Sequence, residues 1–221
     1  MTNKLLNFAA IVLVTLASLI PLKNTNAQVN ANIEVIKSFK ENSSYFRPNI
    51  FYNLPAEIKG HTFGEFYQNG DDYLLKTNLD KKVMGDAGLK AQIVSGSKFD
   101  TKLGLGVSAN ISSPDSVNPN KITAKVYALP LWMDSNGKGI ENRAILGDYL
   151  SGKLPLGIKA STFGEINLSA KKGPEWGYGE VSLEKEISNK LAISYNPALK
   201  NIGQGKLKSK LEHRINFKYK F

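Results

Sequence analysis

The 221-residue chain contains no cysteine and only two histidines, His61 and His213. The absence of cysteine excludes disulfide frameworks, thiolate metal sites and cysteine nucleophiles. Two histidines cannot form a three-histidine metal centre, and no segment matches a nucleophile elbow, a metal-ligand cluster or a phosphate-binding loop. The sequence therefore predicts a protein that is not an enzyme and that needs no cofactor.

The chain also lacks any apolar run long enough for a transmembrane helix after residue 27. Residues 1–27 combine a positively charged start, an apolar stretch over residues 5–22 and small residues before Ala27, which is the layout of a secretory signal peptide. The alternative is an uncleaved membrane anchor, although the dense part of the apolar stretch is shorter than the roughly 20 residues that span a bilayer. We expect cleavage after Ala27 and a folded domain over residues 28–221.

Apolar and polar residues alternate with a period of two through most of the folded domain, which indicates β-strands. In residues 207–221 one face is largely apolar and includes His213, and the other face carries mostly lysine and arginine. Turn signals such as Asn69-Gly70 and Gly173-Pro174 separate such segments. The prediction is an all-β, closed antiparallel up-and-down barrel of about 10–12 strands. Twelve are favoured if residues 133–151 supply a strand instead of a long loop with one helical turn.

The segment 54–65 recurs exactly 100 residues later, at 154–165, with Leu-Pro and Thr-Phe-Gly-Glu shared in register. We interpret this as an old duplication that relates two halves, about 28–127 and 128–221. The alternative is chance similarity between two strands of like composition. Duplicated strands should run in the same direction, so an even number of strand steps should separate them, which also favours twelve strands.

The alternation does not say which face meets water. A soluble sandwich or barrel buries its apolar face, whereas a transmembrane barrel turns that face toward lipid. The chain ends in the pattern Ile215-x-Phe217-x-Tyr219-x-Phe221, which resembles the C-terminal signature of bacterial outer-membrane β-barrel proteins. The resemblance implies export to the outer membrane, lipid as a partner, and an assembly machinery that reads the last strand.

If the apolar face meets lipid, the polar face lines the lumen, and its basic bias predicts a narrow, porin-like channel that favours anionic solutes. The alternative for this face is a packed interior in which lysines and glutamates neutralise each other and no pore is open. The candidate lumen-lining residues are Lys59, His61, Glu65, Lys159, Glu165, Glu180, Lys206, Lys208, Lys210, Arg214, Lys218 and Lys220.

Aromatic residues near strand ends on the apolar face predict the girdles of a transmembrane barrel. The candidates are Phe66, Tyr73, Trp132, Tyr195, Tyr219 and Phe221. Lys81 and Lys185 fall on the same face by parity, which fits a lipid contact only if they lie near an interface.

A soluble exported β-rich protein, used for binding or as a surface structure with its lysines in water, is the competing hypothesis. Nucleic acid is not an expected partner, because the lysines and the aromatic residues of the last segment lie on opposite faces.

Overall fold

The computed structural model describes residues 28–39, 43–68, 72–112, 122–134, 140–141, 143–171, 173–201 and 209–221. The expected signal peptide, residues 1–27, lies outside the described residues, and so do Lys206 and Lys208. Within the described ranges, no helix is long and apolar enough to cross a membrane.

Twelve antiparallel strands close into a barrel, which confirms the favoured strand number. Each strand pairs with the next along the chain, and the last pairs with the first. The region 133–151 does contribute a strand, Arg143–Leu154. A separate two-residue strand, Ile140–Glu141, pairs with Trp132 and Met133 and is not counted among the twelve. The strands are β1 (Gln28–Ser38), β2 (Ser44–Leu54), β3 (Ile58–Tyr67), β4 (Tyr73–Met84), β5 (Ala87–Gly96), β6 (Phe99–Ser112), β7 (Thr123–Asp134), β8 (Arg143–Leu154), β9 (Ile158–Ser169), β10 (Gly173–Glu186), β11 (Leu191–Tyr195 continued by Ala198–Asn201) and β12 (Ser209–Glu212 continued by Arg214–Lys220).

The two copies of the repeated segment begin β3 and β9, which run in the same direction and lie six steps apart in the ring of twelve. They therefore stand on opposite walls of the barrel. Each strand follows a tight turn, at 55–57 or at Pro155–Gly157, and each turn contains residues with positive φ, such as Ala56 and Leu156. This placement is what an even number of strand steps requires, and the duplication itself remains a prediction.

Exposure identifies the inside of the barrel. In the described part of the chain, every segment belongs to the barrel wall or to its turns, so the fully buried side chains point inward. In β12, Glu212, Arg214 and Asn216 are each 1% exposed, whereas Leu211 is 43% and Phe217 is 56% exposed. Because successive strand residues point to opposite faces, the polar set of β12 faces inward and its apolar set faces outward.

A β-bulge in β7 reverses this alternation. Leu129 and Pro130 stand opposite the single residue Gly106 of β6, and the extra residue shifts the following side chains to the other face. Trp132, which parity assigned to the lipid-facing girdle, is consequently inside and only 1% exposed. It packs with Tyr127, Leu129 and Ile145 in an apolar cluster. The girdle prediction for Trp132 is therefore wrong.

The same bulge makes Gly106 intolerant of a side chain. A Cβ there would lie 1.9 Å from the carbonyl oxygen of Ala128 and 2.8 Å from the Cα of Leu129, and neither backbone atom can rotate away. We expect Gly106→Ala to cost about 3 kcal/mol or more and to reduce the folded fraction seen as heat-modifiable migration on a gel. Gly152→Ala is the control, because its Cβ would meet only the Ile122 side chain at 3.4 Å. Equal folded fractions for the two variants would contradict the prediction.

Candidate functional site: the barrel interior

The described members of the predicted lumen set share the inner face of their strands. Most of them occupy two zones, and Lys210 lies near the start of β12, at the end of the barrel opposite to Lys59. Glu65, Glu165 and Arg214 lie in a buried middle zone, whereas Lys59 and Lys159 are exposed at the end of the barrel where β1 begins and β12 finishes. The residues on the inner face are Lys59, His61, Glu65, Lys159, Glu165, Glu180, Lys210, Arg214, Lys218 and Lys220.

Arg47 of β2 organises one side of the buried middle zone. Its Nε and Nη2 donate to Oε1 of Glu65 at 3.1 and 2.6 Å, and its Nη2 also lies 3.6 Å from Oε2 of Glu180. Strands β2 and β10 are four steps apart around the ring, so the contact with Glu180 crosses the lumen. Sequence analysis did not select Arg47, although it shares the polar face of β2 with Asn49.

Glu165 of β9 collects three donors from the facing strands. Its Oε1 accepts from Nζ of Lys76 at 2.5 Å, from Nε2 of Gln92 at 3.1 Å and from the hydroxyl of Tyr127. Lys76 lies on β4, five steps from β9, so this ion pair also crosses the lumen. Lys76 was missed as well, because no local pattern connects it with a residue so distant in the sequence.

A third group of charges lies along the wall where the barrel closes. Nε of Arg214 donates to Oε1 of Glu212 at 3.0 Å, and Nη1 donates to Oε2 of Glu180 at 3.1 Å. Lys218 pairs with Glu34 at 3.2 Å and with Glu184. A buried charge is costly unless it is paired and hydrogen-bonded, so these contacts explain how a charged interior is tolerated.

The exposed end differs from the middle zone because three of its lysines make no ion pair among the described residues. Asp80 and Glu184, the cross-strand neighbours of Lys59 and Lys159, pair with other lysines. Lys59, Lys153 and Lys159 lie on the inner face, and Lys153 stands directly opposite Lys159 across β8 and β9. Among the described residues, none of these three lysines has a carboxylate within 4 Å. We call this group the basic vestibule. Lys220, nearby, is instead paired with Glu186.

His61 lies on the inner face of β3 but has no acidic partner in the described part of the chain. Its ring stacks on Phe51 with centroids 4.3 Å apart, and its Nε2 lies 3.2 Å from Oδ1 of Asn49. In the same part of the chain, no group of three or more histidine, aspartate and glutamate side chains is arranged to hold a metal ion. His61 therefore contributes an aromatic and amide contact to the inner wall.

The outer surface carries most of the predicted girdle residues. Phe66, Tyr73, Tyr219 and Phe221 lie on the outer face near strand ends. Tyr195 also faces outward, with its hydroxyl 2.5 Å from Nδ1 of His213. It is the last residue of the segment Leu191–Tyr195, and β11 resumes at Ala198.

Trp176 is an outward aromatic residue that sequence analysis missed. Gly177 is an extra residue in β10 between the pairs Glu165–Tyr178 and Ile166–Trp176. This second bulge moves Trp176 from the inner to the outer face, where its Nε1 donates to the carbonyl of Leu199 at 3.0 Å. Bulges thus reverse the parity assignment of both tryptophans.

The two outward lysines lie near one rim of the barrel. Lys81 is close to the end of β4, and Lys185 is next to the last residue of β10. The Nζ of Lys185 donates to the carbonyl of Leu156 in the adjoining turn. Long side chains in such positions extend their charge toward the aqueous interface, so neither lysine conflicts with an apolar outer band.

Comparison with known proteins shows the fold and no closer relationship. No family model and no curated protein matches the chain. Among solved structures, a NanC porin has a TM-score of 0.56 at 9% identity, covering 86% of this chain and 100% of the porin. OccK11 (OpdR) of Pseudomonas aeruginosa has a TM-score of 0.38 at 7% identity, covering 89% and 96%. The transport unit of the autotransporter AIDA-I from Escherichia coli has a TM-score of 0.37 at 10% identity, covering 88% and 89%.

Proposed function

We propose that this protein is an outer-membrane β-barrel channel whose basic vestibule gives it a preference for small anionic solutes. The observation that carries the proposal is the orientation of the strands: charged side chains fill the inside, and apolar side chains cover the outside. An apolar outer surface of this extent promotes association in water, whereas a bilayer solvates it. The fold shared with a NanC porin supports the same assignment.

The competing hypothesis, a soluble protein with its lysines in water, requires the reverse orientation. It needs Phe217 in a closed interior and Lys218 in bulk solvent. Phe217 is 56% exposed, while the Lys218 side chain is 19% exposed and ion-paired with Glu34. The arrangement of β12 therefore favours the membrane protein.

The anion preference rests on where unpaired charge is found. The buried middle zone matches its cations with carboxylates, so it contributes little net field. The basic vestibule does not match its cations with carboxylates in this way. A cluster of like charges at a channel mouth raises the local concentration of counter-ions.

The closing strand also supports recognition by an assembly machinery. Tyr219 and Phe221 lie on its outer face at the rim of the barrel.

Conductance in planar bilayers tests the function. The wild-type barrel should conduct and prefer anions, and the triple variant Lys59→Glu, Lys153→Glu, Lys159→Glu should lower the anion-to-cation permeability ratio about threefold or more. The matched triple Lys→Gln variant should give an intermediate ratio. Lys190→Glu, in the exposed turn at the same end, should leave the ratio close to that of the wild type. Folded wild-type barrels that prefer cations would refute the anion preference.

A further inference from the structure

One level of the barrel interior joins opposite walls through side chains. On the first wall, Phe63 stands directly opposite Lys76 in the paired strands β3 and β4. On the second wall, Phe163 stands directly opposite Glu180 in β9 and β10. We name the group the transverse layer; its members are Arg47, Phe63, Lys76, Phe163, Glu165 and Glu180.

Both walls contribute charged side chains to the transverse layer. On the first wall, the guanidinium of Arg47 lies 5.7 Å from the Phe63 ring centroid and also donates to Glu65 of the same wall, and Lys76 is the cross-strand partner of Phe63. On the second wall, Glu180 is the cross-strand partner of Phe163. Phe63 and Phe163 are the equivalent positions of the two repeated segments.

The two walls meet in direct contact. Lys76 reaches Glu165 at 2.5 Å and lies 5.1 Å from the ring centroid of Phe163. Arg47 approaches Glu180 at 3.6 Å. The exposed fractions of these four charged side chains are only 7% to 13%. Side chains that touch across the lumen narrow the path for water and solutes at this level.

The ion pairs that cross the lumen are better explained by the geometry they fix than by the stability they add. Replacing a buried ion pair by apolar residues of similar size is often neutral or stabilising, so stability alone does not explain such pairs. Wall-to-wall pairing does fix the distance between two particular walls. It also concentrates the resistance to ion flow in one short section of the barrel.

We propose that the transverse layer is the constriction of the channel: it narrows the lumen and sets how readily ions pass. This inference rests on the proposed channel function. The layer acts in series with the basic vestibule, which attracts anions to the mouth but does not itself block the passage.

The double variant Lys76→Met, Glu165→Gln tests the proposal by removing one crossing pair without changing the net charge. We expect its single-channel conductance in planar bilayers to rise about threefold or more above the wild type. The control is Lys98→Met, Asp72→Asn, which removes an exposed pair of 2.8 Å at the rim and should leave conductance unchanged. The swap Lys76→Glu, Glu165→Lys restores a crossing pair and should return conductance toward the wild-type value.

Each variant is first checked for folding by heat-modifiable migration. If the double variant does not fold, Phe163→Ala opens the same layer without removing a charge and carries the same expectation. A folded double variant that conducts like a conducting wild type overturns the constriction and leaves the channel function intact. Folded wild-type and variant barrels that are all silent overturn both. A silent wild type with a conducting double variant supports the constriction and contradicts the expected conductance of the wild type.

Discussion

Arg214→Ala is expected to lower the free energy of unfolding by about 3–5 kcal/mol, the cost of breaking a buried ion pair by removing one partner. Arg214 is 1% exposed and pairs with Glu212, whose side chain is 2% exposed, as well as with Glu180. Truncation removes the guanidinium from two carboxylates of the inner face, Glu212 and Glu180. The measurement is urea unfolding of the barrel in lipid vesicles, followed by tryptophan fluorescence.

Two variants separate this effect from a general sensitivity to lost ion pairs. Lys98→Ala breaks the pair with Asp72, in which the lysine is 74% exposed, and should cost about 0–1 kcal/mol. The double variant Arg214→Met, Glu212→Gln removes both charges of the pair and should recover most of the stability that Arg214→Ala loses. A loss for Arg214→Ala no larger than that for Lys98→Ala would show that β12 does not bury this pair.

Val107→Arg is expected to destabilise the membrane-inserted barrel by about 2–4 kcal/mol, the cost of a lipid-facing arginine near the bilayer midplane. Val107 is 56% exposed on the outer face in the middle part of β6. The measurement is again urea unfolding in vesicles of defined lipid thickness.

Ile111→Arg is the matched control, since it introduces the same residue on the same face of the same strand. Ile111 is also 56% exposed, but it is next to the last residue of β6, where the cost should fall to about 0–1 kcal/mol. A soluble barrel has no such dependence on depth. Equal costs at the two positions would therefore contradict the membrane orientation.

The two faces of β12 were predicted correctly from the local sequence pattern. Its alternation assigned Arg214 and Lys218 to one face and Phe217 and Tyr219 to the other, and the structure keeps that division. In a regular strand, successive side chains point to opposite faces. The face of each residue can therefore be predicted from its position in the strand, whichever strands lie beside it. The number of strands followed from counting these segments together with the spacing of the repeat.

The faces of the two tryptophans could not be predicted from the local pattern, because each depends on a β-bulge. A bulge is a mismatch between two paired strands, and it depends on which residues of the partner strand stand opposite. Gly106 accommodates the bulge in β7 only because β6 places it beside Leu129. The position of the bulge cannot be predicted from the sequence of either strand alone. Simple alternation therefore places Trp132 on the outer face and Trp176 on the inner face, whereas the structure has the opposite arrangement.

The sequence by itself determined the strands, their two chemically distinct faces and the charged character of one of them, because all three are local properties of a chain with a period of two. Only the tertiary structure decided which charges meet. Lys76 and Glu165 are 89 residues apart and become partners because closing twelve strands into a ring sets their two walls face to face. Charge complementarity across the lumen is a consequence of that closure, and no segment of the sequence contains it.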